Sequence, residues 1–169
     1  MRLYDFRTEY RENPIGLTEK APRFSWKIES DEKDTVQTSY EIKVTDENGK
    51  LVWDSGKKIS DQSVLISYEG EALAGETFYS VEVTVADNHG NVESVEGSFE
   101  TGIFNQTEFK AQMITSDFSE DETACPIFGK TFAIDKKVKK ARLYATAHGV
   151  YEVTLNGQIV GDYRMAPGW

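Results

Sequence analysis

Apolar and polar residues alternate in short runs along most of this chain, and apolar positions nowhere recur at the spacing of a helix face. Phe24-Ser25-Trp26-Lys27-Ile28 alternates strictly; 39–46 sets Tyr40, Ile42 and Val44 against Glu41, Lys43 and Thr45; 77–87 sets Tyr79, Val81, Val83 and Val85 against polar neighbours. Successive side chains of a strand point to opposite faces, so each run predicts a half-buried strand. Shorter runs at 51–53, 64–68 and 92–101, with an edge strand near 3–6, bring this stretch to about seven strands.

Between the strands stand the residues that tight turns need. Asp46-Glu47-Asn48-Gly49 and Asp87-Asn88-His89-Gly90-Asn91 read as hairpin connections, and Asn13-Pro14-Ile15-Gly16 and Ala21-Pro22-Arg23 as extended or turn segments. Short alternating strands punctuated this way predict an all-β fold, an immunoglobulin-like sandwich of the fibronectin type III kind over 1–103.

The remainder is shorter and less complete. Four or five strands are expected, at 112–115, 127–134, 139–147, 150–155 and 158–160, with Asn156-Gly157 supplying the positive-φ pair of a two-residue hairpin. In the arm before that turn Tyr151, Val153 and Leu155 share one face, and Glu152 and Thr154 the other. Trp169 follows a turn-like Pro167-Gly168, an arrangement expected where a chain is cut inside a sheet. A module of this size buries only about 60% of its unfolded surface. Self-association through an open β edge, or partial disorder after Cys125, is therefore expected.

Charge separates the same two regions. Residues 1–103 hold 11 Lys+Arg against 21 Asp+Glu, whereas 104–169 hold 8 of each. The composition shift sets the boundary near Gly102, and the acidic first module makes nucleic acid and anionic membrane poor partners. No apolar run reaches membrane-span length and the N-terminus carries no apolar signal core. A cytoplasmic location is slightly favoured, although one cysteine, Cys125, also suits any module that needs no disulfide.

The chemistry on offer is thin. Paired carboxyls for glycoside hydrolysis need a pocket that raises one pKa, and the densest acidic run, Asp117-Phe118-Ser119-Glu120-Asp121-Glu122, lies in an expected loop without one. That run reads as a solvated loop, with weak calcium binding as the lesser alternative. His89 and His148 stand far apart in turn-like positions, so no metal site, cofactor or catalytic residue is expected. Asn105-Gln106-Thr107 fits a short glycosylation pattern that occurs often by chance. Trp26, Trp53 and Tyr40 lie on alternating strands and read as core. For carbohydrate contact, through ring stacking and an amide, the candidates are Tyr151, Asn156 and Trp169.

The stretch ARLYATAHGVYEVTLNGQIVGD followed by APGW, at Ala141 onward, resembles the N-terminal β-sandwich domain of bacterial α-L-rhamnosidases of glycoside hydrolase family 78. NPIGL, APRFSW, QTSYEI, VWDSGK, SDQS and SFETG, at Asn13, Ala21, Gln37, Val52, Ser60 and Ser98 onward, are similar to the leading segment of the same enzymes. Where the family places tryptophans between the modules, this chain has Phe109-Lys110-Ala111-Gln112-Met113-Ile114. The resemblance implies a fibronectin-like module over 1–103, then a partial, truncated antiparallel sandwich over 104–169. It also implies a parent that hydrolyses terminal α-L-rhamnosides with inversion, using paired acids on a downstream helical barrel. This chain alone is then expected to be a non-catalytic accessory region whose partner is that barrel; a free-standing carbohydrate-binding module is the alternative.

Overall fold

A computed structural model of the chain describes residues 1–117, 125–162 and 164–167. It divides into two compact units, Met1–Lys110 and Ala111–Trp169. Eight strands build the first: β1 (Arg2–Thr8), β2 (Arg23–Glu29), β3 (Gln37–Asp46), β4 (Leu51–Asp54), β5 (Lys58–Ile59), β6 (Ile66–Ser67), β7 (Phe78–Asp87) and β8 (Val92–Glu100). They form a three-stranded sheet in the order β1-β2-β6 and a five-stranded sheet in the order β4-β3-β7-β8, with β5 added beside β3. Every named pairing in these sheets is antiparallel. A single 3-10 turn, Gln106–Glu108, closes the unit.

The core lies between the inner faces that alternation defines. From β7 come Tyr79, Val81, Val83 and Val85, from β3 Ile42 and Val44, from β2 Phe24 and Trp26, and from β8 Phe99, all buried. Phe24 sits at the centre, its ring within about 6 Å of three others: Phe6 at 6.0 Å, Trp53 at 6.1 Å and Phe99 at 6.0 Å. Gly97 is required beneath Phe6, because a Cβ there would overlap the Phe6 ring.

Most buried polar groups of this core are matched to partners, the Thr8 hydroxyl being an exception among the described residues. Trp26 Nε1–H donates to Gln37 Oε1 at 2.9 Å, and Gln37 Nε2 donates to the carbonyls of Ser60 and Gln62 at 3.0 and 2.8 Å. One amide thus pins the segment after β5 to the sheet interior. The Tyr79 hydroxyl accepts the Ala74 N–H at 2.8 Å, the arrangement of a tyrosine corner at the entry to β7. Edge protection is also built in: Asn13 Oδ1 accepts the Ser98 N–H at 2.9 Å, the Pro14 carbonyl accepts that of Glu100 at 2.9 Å, and Leu17 pairs with Thr101. The 13–17 segment, read from sequence as turn or extended chain, therefore covers the end of β8 that would otherwise offer free amides.

The second unit differs from its strand expectations. Its described residues form one sheet of two strands, β9 (Thr154–Leu155) and β10 (Gln158–Ile159), joined through Asn156 at φ 51° and Gly157 at φ 79°. That two-residue connection is the one the Asn-Gly pair predicts. No strand forms at 112–115, 127–134 or 139–147 among the described residues. Ile127 is 97% exposed, and Phe128, Phe132, Ile134 and Leu143 are all more than half exposed. Alternation specifies which face of a strand would be apolar, but a strand exists only where a neighbour takes its hydrogen bonds.

Candidate functional site

The candidate sugar contacts lie in the second unit, and the hairpin does not bring Tyr151 and Asn156 together. Asn156 occupies the exposed tip. Tyr151 lies beyond the base of the ladder, half-buried, its N–H donating to the Ala166 carbonyl at 2.8 Å and its hydroxyl to that of Ala145 at 2.9 Å. Four residues lie between the two, and the five steps from one to the other span roughly 17 Å of extended chain. Trp169 lies outside the described residues, as do Phe118 to Glu122 of the acidic run, whereas Asp117 and Cys125 are both exposed.

In the first unit the tryptophans face inward. Trp26 is 2% and Trp53 9% exposed, while half-buried Tyr40 packs edge-on against Trp26 at 5.5 Å. Tyr4 and Tyr10 are the exposed tyrosines, and cations already cover their rings. Arg2 Cζ lies 5.4 Å and Lys27 Nζ 6.0 Å from the Tyr4 centroid, and Arg23 Cζ lies 5.6 Å from that of Tyr10. Ion pairs hold these cations in turn, Arg2 to Glu29 at 2.9 Å, Lys27 to Asp5 at 2.7 Å and Arg23 to Glu9 at 2.7 Å. Sequence reading missed this strip because it depends on register: Tyr4 faces Lys27 and Arg2 faces Glu29 across the β1–β2 pairing. Pattern along one strand does not reveal its cross-strand neighbours.

A cleft of about 330 Å³ opens beside this strip, lined by Asp5, Phe6, Glu12, Asn13, Val95 and Glu96. The Asp5 carboxyl is held below its usual range mainly by the Lys27 hydrogen bond, with Arg7 adding to it. Glu9 is lowered chiefly by Arg23, and Asp46 by the N–H groups of Lys50 and Asn48. At Asp87 burial pushes upward, but hydrogen bonds from the Asn91 side chain and from the backbone of Asn91 and His89 leave it lowered. A general acid for glycoside cleavage needs the opposite displacement. His89 belongs to a loop clamp, with Nδ1 3.3 Å from Glu32 and Nε2 3.2 Å from the Lys33 carbonyl. Among the described residues no group of three His, Cys, Asp or Glu side chains is placed to hold a metal.

Fold and surface together define an immunoglobulin-like β-sandwich module whose tryptophans are committed to packing. Residues 3–105 match the model of the Rha78A-like, N-terminal immunoglobulin domain, and the chain belongs to that family. A second model, the α-L-rhamnosidase N-terminal domain, matches residues 136–169. An α-L-rhamnosidase of Formosa agariphila is 33% identical over 93% of this chain. The match spans 19% of that relative's length. Among solved structures, the Streptomyces avermitilis α-L-rhamnosidase complexed with L-rhamnose aligns with 65% of this chain and 11% of its own, at 34% identity and a TM-score of 0.61. The Aspergillus terreus enzyme aligns with 99% of this chain and 20% of its own at a TM-score of 0.72, and at 22% identity it supports the fold alone.

Proposed function

We propose that this chain is the non-catalytic N-terminal accessory region of an α-L-rhamnosidase, a β-sandwich that supports the catalytic part of the parent enzyme. The observation that carries this reading is proportion: relatives match 93% of this chain with 19% of their own length, and the matched segments are N-terminal domains. The surface agrees, since Asp5, Glu9, Asp46 and Asp87 are held as carboxylates by local donors. In this reading the acidic sandwich ends at residue 103, and 104–169 begins a domain completed by more of the parent. The exposed Ile127, Phe128 and Phe132 are the surface that such strands cover. Self-association through the same surface is the alternative occupant.

The test is removal and replacement. Deleting the matching region from the Formosa agariphila enzyme lowers its thermal midpoint and yield of active protein, and grafting residues 1–169 in its place restores both. Unchanged stability and turnover after deletion would overturn the accessory role. Carbohydrate contact through Tyr151, Asn156 and Trp169 belongs to the same proposal. In the grafted enzyme Tyr151→Ala is then expected to raise KM for a rhamnoside with kcat unchanged, and an unchanged KM would remove that contact.

A further inference from the structure

Two Asn-Gly pairs occupy hairpin tips in this chain, Asn48-Gly49 and Asn156-Gly157, and the fold treats them differently. Side-chain amide loss at such a pair begins when the glycine nitrogen attacks the asparagine Cγ. The N–Cγ bond forms, the Cγ–Nδ2 bond breaks, and ammonia leaves with the proton released from the nitrogen. Water then opens the five-membered imide. Addition at Cγ yields an ordinary aspartate, and addition at the backbone carbonyl yields isoaspartate, in which the main chain runs through Cβ and Cγ. The step needs only water and base, and it needs a glycine N–H that is free to leave the turn geometry.

At the first pair that nitrogen is held. Gly49 N–H donates to the Asp46 carbonyl at 3.0 Å, while Asp46 Oδ1 accepts the N–H groups of both Asn48 and Lys50 at 2.9 Å. The turn also joins β3 and β4, which carry buried Val44 and Trp53 into the core. At the second pair Gly157 N–H has no partner among the described residues, and nothing lies within 4 Å of where its Cβ would be. The flanking strands are two residues each, all four exposed, with one further backbone bond from Val160 N–H to Val153 at 2.9 Å. Opening that hairpin disturbs no buried side chain of its own.

We infer that Asn156 is a modification site, converted spontaneously to aspartate and isoaspartate through the Gly157 nitrogen, while Asn48 is protected by its turn. Conversion places a negative charge at the tip. The isoaspartyl product also lengthens the main chain by one methylene, which the Leu155↔Gln158 register of a two-residue connection does not accommodate.

The test is incubation of the full chain at mildly alkaline pH, followed by peptide mass mapping and isoaspartyl assay of both sites. In native buffer Asn156 is expected to convert at least about tenfold faster than Asn48, since the rate follows the local opening equilibrium. In concentrated urea, where both pairs lie in unfolded chain, the two rates are expected to converge. Equal or faster conversion at Asn48 in native buffer would overturn the inference. So would a rate ratio that persists in urea, because local sequence rather than structure would then set it.

Discussion

Single side chains decide how this sandwich is held, and several make sharp tests. The Thr8 hydroxyl is fully buried and its Oγ1 has no hydrogen-bond partner among the described residues. Thr8→Val keeps the shape and removes the desolvated hydroxyl, so it is expected to stabilise the fold by about 1 kcal/mol, read as a raised urea midpoint at constant m. Gly97→Ala acts oppositely, forcing the Phe6 ring out of its seat at a cost of roughly 1–3 kcal/mol in the same experiment. Gln37→Leu strands the Trp26 indole N–H and the Ser60 and Gln62 carbonyls, and about 2–3 kcal/mol is expected to be lost. The lowered carboxyls at Asp5, Glu9, Asp46 and Asp87 set the acid response. Their contribution is complete above the ordinary values of 3.8 for Asp and 4.5 for Glu, and is lost as pH falls through the lower folded values. Urea midpoints measured downward from neutral pH are therefore expected to hold until near those values and then drop. Burial pushes the Tyr68 hydroxyl up to about 12, so its share of stability drains as pH rises from 10 toward that value.

Among elements, the first unit was largely legible and the second was not, for one physical reason. Strict alternation at 24–28, 39–46 and 77–87 coincides with β2, β3 and β7 because each has a partner that completes its ladder. Lys58–Ile59 carries no alternation and both residues are exposed. Its strand arises from pairing with Ser39 and Tyr40, which no local pattern announces. The runs at 127–134 and 139–147 have the pattern without the partner. Of the candidate contacts, the Asn156 turn was readable from its own residues, whereas the separation of Tyr151 from it, and the cation-covered tyrosines of β1 and β2, depend on register. Amide exchange is expected to follow this division, slowest at Ile42, Val44, Val81 and Val83 and fast throughout 127–147. Strong protection across 127–147 in the isolated chain would show that those strands form without the rest of the parent.

For the whole molecule, the distribution of charge and chemistry agrees with a supporting role. The net charge of -10 lies entirely within residues 1–103, on a unit whose Trp26 and Trp53 are buried and whose Asp5, Glu9, Asp46 and Asp87 are tied to local donors. The most direct measurement is hydrolysis of an aryl α-L-rhamnoside by the purified chain, at concentrations where the Streptomyces avermitilis enzyme turns over readily. No release above the uncatalysed rate is predicted, with or without the Asp5, Glu12 and Glu96 side chains that line the cleft. Saturable turnover that copurifies with the chain, and is abolished by removing one of those carboxyls, would contradict the account.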